Sequence, residues 1–122
     1  MELEILEPEL SVCKIENFSA IKTDSSLFFI GRTDEELSLV CPTEDVPENT
    51  LEREDGWRGF RIRGTLDFSL TGILSRLSGI LADEKIGIFA VSTYNTDYIL
   101  VKKERLDDAR KALERAGCRF IK

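Results

Sequence analysis

The 122-residue sequence has no histidine, one methionine, one tryptophan, three prolines and three cysteines. Without histidine the chain lacks the commonest general base near neutral pH and the commonest transition-metal ligand, and no Cys-x-x-Cys pair stands in for it. Metal-dependent hydrolysis and triad-type acyl transfer are therefore poor descriptions, and no nucleophile–base pair can be named. Phosphate-cradling loops are missing too. "FFIGRT" carries a single glycine, with neither Gly-Lys-Ser nor Gly-x-Gly-x-x-Gly. No stretch approaches the roughly 20 apolar residues that span a bilayer, and "MELEILEPEL" has neither the basic start nor the apolar centre of a signal peptide. The expectation is a cytoplasmic, non-catalytic protein without cofactor or metal and without nucleic-acid or membrane partners.

What is present fits a folded protein of one domain or two very small ones: 42% of residues are hydrophobic. Cys13, Cys41 and Cys118 are scattered among apolar neighbours and read as reduced core residues. Charge is uneven. Residues 1–56 hold 15 acids and 4 bases (net −11), residues 57–122 hold 8 acids and 13 bases (net +5), and together they give −6. Complementary halves attract one another or a second copy, or the basic half meets an anion; the first reading is the simpler.

The second half alternates between two periods. "WRGFRIRG" sets Phe60 and Ile62 on one face and Arg61 and Arg63 on the other, a strand pattern. In "SLTGILSRLSGILADEK" the residues Ile73, Leu74, Leu77, Ile80 and Leu81 form one helical stripe, with Ser69 or Thr71 available as N-cap. "IGIFAVST" suits a central strand, "YNTD" a turn and "DYILVKK" the antiparallel return. "ERLDDARKALERAG" predicts a helix with Glu104, Asp107 and Asp108 in its first turn and a stop at Gly117, and "CRFI" a last strand. The order β-α-β-β-α-β is that of a ferredoxin-like sandwich, an α+β fold with antiparallel strands and helices on one face. Its open face calls for water or a partner.

The first half looks like a weaker copy. At an offset of 61, "FFIGRTDEELSLVCP" lies over "FAVSTYNTDYILVKK", and "LSVCKI" takes the place of "GFRIR". The predicted first unit, residues 1–56, is a truncated β-(short α)-β-β with "TEDVPENTLERED" as an acidic connector; the complete unit spans residues 57–122.

The run "LDFSLTGILSRLSGILADEKIGIFAVSTYNTDYILVKKERLDDARKAL" resembles the ACT domain, the βαββαβ amino-acid-sensing module of many biosynthetic enzymes. It is most similar to the small stand-alone tandem ACT proteins related to the cytosolic arginine sensor of animal cells. "DFSLTGIL" and "STYNTDYILV" carry the likeness over residues 57–121, with a weaker echo in the first half. The resemblance implies a regulatory protein, a homodimer, that binds a free amino acid and passes occupancy to a downstream protein.

The residues themselves supply the two recognition elements such a ligand needs. The helix start around Thr71, Gly72, Ile73 and Leu74, with Ser69 before it, offers unpaired N–H groups and a positive dipole end for a carboxylate. Asp97, flanked by Thr93, Tyr94, Asn95 and Thr96, offers acceptors for an ammonium. Plainer roles exist for both: Gly72 lets a helix pack closely, and Asn95 and Asp97 are ordinary turn formers. The 61-residue offset sets Arg32 and Glu36 against Thr93 and Asp97, so one site per chain is expected. Two other classes compete. One is an interaction module that dimerises without a ligand. The other, an RNA-recognition domain of the same order, is disfavoured by the lack of an aromatic run on a central strand and by a pI of 4.8.

Overall fold

The computed structural model describes residues 1–63 and 72–121. The chain divides into two units, one made of Met1–Glu7 with Arg58–Lys122, the other of Pro8–Trp57. The first seven residues thus belong to the same unit as the C-terminal half of the chain.

The reason lies in the N-terminal strand β1 (Glu2–Ile5). Its Leu3 pairs antiparallel with Ile62 near the end of β5 (Thr50–Ile62) and parallel with Phe120 of the last strand, β8 (Arg119–Ile121). Leu3 has no exposed surface, and burying such a side chain is worth about 2 kcal/mol. The remaining elements of this unit are α1 (Ile73–Asp83), β6 (Phe89–Ser92), β7 (Asp97–Lys102), a 3-10 turn at Lys103–Arg105 and α2 (Leu106–Arg115). The order β5-α1-β6-β7-α2-β8 is the α+β, ferredoxin-like βαββαβ arrangement, and the strands run β6-β7-β5-β1-β8 across the sheet. Helix and sheet residues share one core. Leu3, Phe60, Ile62, Ile99 and Val101 from the strands meet Leu77 and Leu81 of α1 and Ala109 and Leu113 of α2.

Both helices end the same way. After α2, Gly117 takes a left-handed φ of +102°, its N–H reaches the Glu114 carbonyl at 3.0 Å, and the Cys118 N–H reaches Leu113 at 3.0 Å. After α1 the equivalent bonds run from Lys85 to Ala82 (2.9 Å) and Ile86 to Leu81 (3.0 Å), but the left-handed residue is Lys85, at φ +59°. A side chain there costs backbone energy that glycine avoids. Lys85→Gly is therefore expected to raise stability by about 0.5–1 kcal/mol, read as an increased melting temperature; an unchanged or lower value would contradict the strain argument.

The same cap revises the reading of "IGIFAVST". Ile86 is buried as the residue that closes α1, so strand β6 starts only at Phe89 and, among the described residues, pairs with β7 alone. It is an edge strand and not the expected central one.

The Pro8–Trp57 unit holds β2 (Leu10–Ile15), β3 (Phe29–Arg32), β4 (Leu37–Pro42), a 3-10 turn at Thr43–Asp45 and the first part of β5. Its strands run β3-β4-β2-β5. The "acidic connector" becomes strand from Thr50 onward, where it pairs antiparallel with β2. The register slips between Leu10 and Val12, and beside that slip the fully buried Ser11 donates to Asp55 at 2.6 Å and bonds the Thr43 hydroxyl at 2.9 Å. No helix occupies the segment between β2 and β3, where a short one was expected. Instead Ile21 and Phe28 from that segment cover Cys13, Ile15, Leu37, Leu39 and Cys41. All three cysteines are buried and free, and the hydrogen bond to Cys13, then burial, pushes the Cys41 thiol up, so it stays protonated and unreactive.

Candidate functional site

The site expected from the sequence has two halves, both in the βαββαβ unit. The first is the β6–β7 turn. The Thr93 N–H donates to the Thr96 carbonyl at 2.8 Å, the Thr93 hydroxyl donates to that carbonyl at 3.0 Å, and the Thr96 N–H returns to the Thr93 hydroxyl at 3.4 Å. Threonine at the first position thus closes the turn with its own side chain. Thr96 is buried, and its hydroxyl donates to the Ile62 carbonyl at 2.8 Å, fixing the turn to the end of β5. The two threonine hydroxyls are committed to positioning. Tyr94 stands 80% exposed and Asn95 is exposed as well. The half-buried Asp97 opens β7, and among the described residues its carboxylate has no hydrogen-bond or ion-pair partner.

The second half is the start of α1. Ser69 and Thr71 lie outside the described residues. Gly72 is the N-cap at φ +81°, no side chain among the described residues caps the helix, and its first turn carries no acid. The first backbone bond of the helix runs from the Arg76 N–H to Gly72 at 2.8 Å, leaving the N–H groups of Ile73, Leu74 and Ser75 as donors without helical partners. The Ile73 and Leu74 side chains pack on the core, so only their backbone can serve a ligand. A Cβ on Gly72 would meet nothing within 4 Å; what requires glycine is its left-handed backbone. Among the described residues no cluster of acids and cysteines could hold a metal.

A family profile described as the ACT domain matches residues 52–115, more than half of the chain and inclusive of both halves of the site. The chain belongs to the ACT domain family. A protein from Agrobacterium tumefaciens solved by structural genomics is 31% identical, with a TM-score of 0.89 over 98% of this chain and 91% of that one. A protein of unknown function from Vibrio cholerae, described as a possible transport protein, is 20% identical with a TM-score of 0.78 over 98% and 88%. The ligand-free regulatory subunit of aspartate kinase from Thermus thermophilus is 9% identical with a TM-score of 0.69 over 94% and 96%, a likeness of fold alone.

Within the ACT unit the β6–β7 hairpin has a geometric twin in the Pro8–Trp57 unit. Phe29 corresponds to Phe89, Leu37 to Asp97 and Thr43 to Lys103, each 60 positions apart, with matching ladders. Thr33 closes its turn as Thr93 does: its N–H donates to Glu36 at 3.0 Å, and its hydroxyl accepts from the Glu36 N–H at 3.1 Å. The offset of 61 is therefore one too many. Thr33, not Arg32, stands at the place of Thr93, and the buried Leu37, not Glu36, at that of Asp97. Adjacent phenylalanines at 28 and 29 made the slip easy, and a slip of one exchanges the faces of a strand. With leucine in place of the aspartate, the twin strand opens without an acid at that position, although Asp34, Glu35 and Glu36 lie in the turn before it.

The sequence reading missed one charged cluster of the ACT sheet. Glu4 accepts from Arg61 Nε at 3.0 Å and Arg63 Nη1 at 2.9 Å, and Arg61 Nη1 lies 3.3 Å from the Tyr98 hydroxyl. Hydrogen bonding from Arg63, then Arg61, holds the Glu4 carboxyl below the usual carboxylate range, against the opposing effect of burial. A depressed folded-state value means that this stabilisation is present at neutral pH and is lost as pH falls through the folded value. Glu4→Gln should cost about 1 kcal/mol or less at pH 7, and the difference from the wild-type protein should shrink as the solution is acidified; a difference that does not shrink on acidification would contradict it.

Proposed function

We propose that this protein is a non-catalytic regulator that binds a free amino acid in its ACT unit, between the start of α1 and the β6–β7 turn, and signals occupancy to another protein. The observation that carries the reading is the half-buried Asp97 carboxylate, without a partner among the described residues, on a turn that Thr96 ties to the end of β5. The acid suits the ligand's ammonium, and the uncapped helix start suits its carboxylate. Asn95 adds an exposed amide, and Tyr94 an exposed ring for the side chain. Membership of the ACT domain family supports this role. Three or four charge-assisted hydrogen bonds, less the entropy of immobilisation, give micromolar to millimolar affinity, about −8 to −4 kcal/mol. The protein would work in the cytoplasm as a homodimer of tandem ACT-like chains, with the Pro8–Trp57 unit as the degenerate copy.

A melting-temperature screen of the proteinogenic amino acids at millimolar concentration tests the reading. At least one should stabilise the protein by about 1–3 kcal/mol at ten to a hundred times its dissociation constant. A flat screen sinks the sensor. Light scattering should give twice the 13.9 kDa of one chain; a strict monomer removes the homodimer.

A further inference from the structure

Away from the α1 start, a pocket of about 450 Å³ opens where β1, β8 and the middle of α2 meet, lined among others by Ile5, Glu7, Arg58, Arg110 and Phe120. Arg58 enters it in a fixed pose. Its Nη2 donates to the Leu6 carbonyl at 3.0 Å, while its buried Nε has no hydrogen-bond partner among the described residues. A buried guanidinium donor without an acceptor is unusual, because such groups are ordinarily satisfied by protein, water or ligand. Across the pocket the Arg110 guanidinium lies 5.5 Å from the centre of the Phe120 ring, which orients it, and Phe120 is itself held edge-on against Phe60 at 5.6 Å. One contact of Arg110 is already taken, Nε to Glu114 at 3.4 Å, and its two terminal nitrogens remain as donors. Of the carboxylates in the wall, Glu4 is neutralised by Arg61 and Arg63, and Glu7 is exposed and screened by solvent.

We propose that this pocket is a second small-molecule site that takes the carboxylate of a short organic acid between Arg58 and Arg110, with the apolar part of the ligand on Ile5 and Phe120. Two guanidinium groups on separate elements, one anchored on the Leu6 carbonyl and one stacked on an aromatic ring, match the planar acceptor of a carboxylate. The proposal stands apart from the amino-acid site. None of its residues lies in the α1 start or the β6–β7 turn, so it survives the failure of that reading.

The test follows the arginine Nε–H signals of the nitrogen-15-labelled protein by NMR during separate titrations with succinate, inorganic phosphate and sodium chloride. Succinate should shift the Arg58 Nε–H signal along a saturating curve with a midpoint of roughly 1–10 mM. Arg110→Gln, an exposed position that leaves the fold intact, should weaken that binding at least about tenfold, and Asp97→Asn should leave it unchanged. A succinate response no different from sodium chloride overturns the proposal. So does saturation by phosphate alone, which would reassign the ligand class, or succinate binding that Arg110→Gln does not weaken.

Discussion

Phe60→Ala is expected to lower the unfolding free energy of the protein by about 3–5 kcal/mol. Phe60 has no exposed surface, sits in β5 opposite Ile5 of β1 and packs edge-on against Phe120 of β8 at an interplanar angle of 74°. Truncation removes the transfer energy of the ring and leaves a cavity among strands that backbone ladders hold in register, so collapse around it is restricted. Proteins of this size hold only about 5–15 kcal/mol in total, so the loss should appear as a melting temperature lower by more than about 10 °C. A loss below about 1 kcal/mol would show that the three-strand layer of β5, β1 and β8 is not close-packed around this ring. The same variant tests the placement of the N-terminal strand, because a ring lying under β1 and β8 should also slow hydrogen exchange at Leu3.

Asp97→Asn is expected to weaken binding of the active amino acid about 10- to 100-fold without changing the melting temperature of the ligand-free protein. The carboxylate has no partner among the described residues, so neutralising it removes no internal ion pair, and the amide keeps the shape and the turn geometry. Gly72 is a less clean probe. At φ +81° any side chain strains the backbone, so Gly72→Ala would lower stability whether or not a ligand binds there. Unchanged affinity in Asp97→Asn, measured by calorimetry, would return this residue to the role of an ordinary strand opener.

Much of the ACT unit was legible in the sequence because its helices are strongly amphipathic and its strands alternate cleanly. Leu77 and Leu81, and Ala109 and Leu113, fall on the buried stripes that the 3.6-residue period predicts. What escaped was non-local. "MELEILEPEL" alternates glutamate with leucine or isoleucine over residues 2–5, which is a strand signal, but nothing local says that this strand pairs with residues near 60 and 120. The acidic stretch from Thr50 reads as a connector because Glu52, Arg53, Glu54 and Asp55 are exposed, yet its backbone completes a ladder with β2. The apolar run at residues 86–91 was divided by a helix cap that no hydropathy pattern marks. At the candidate site, the residue types at the turn were visible but their division of labour was not: Thr93 and Thr96 hold the turn while Asp97 is left open. The Glu4–Arg61–Arg63 cluster joins strands about 57 residues apart, and its one local sign was the pair of arginines alternating with Phe60 and Ile62.

The central claim is that one ligand bridges the α1 start and the β6–β7 turn. Backbone amide NMR of the protein, titrated with the amino acid that stabilises it most, tests this most directly. The largest shifts should fall together on Gly72 to Ser75 and on Asn95 to Asp97, with a common dissociation constant. Shifts confined to one of the two segments, or centred elsewhere in the chain, would contradict it.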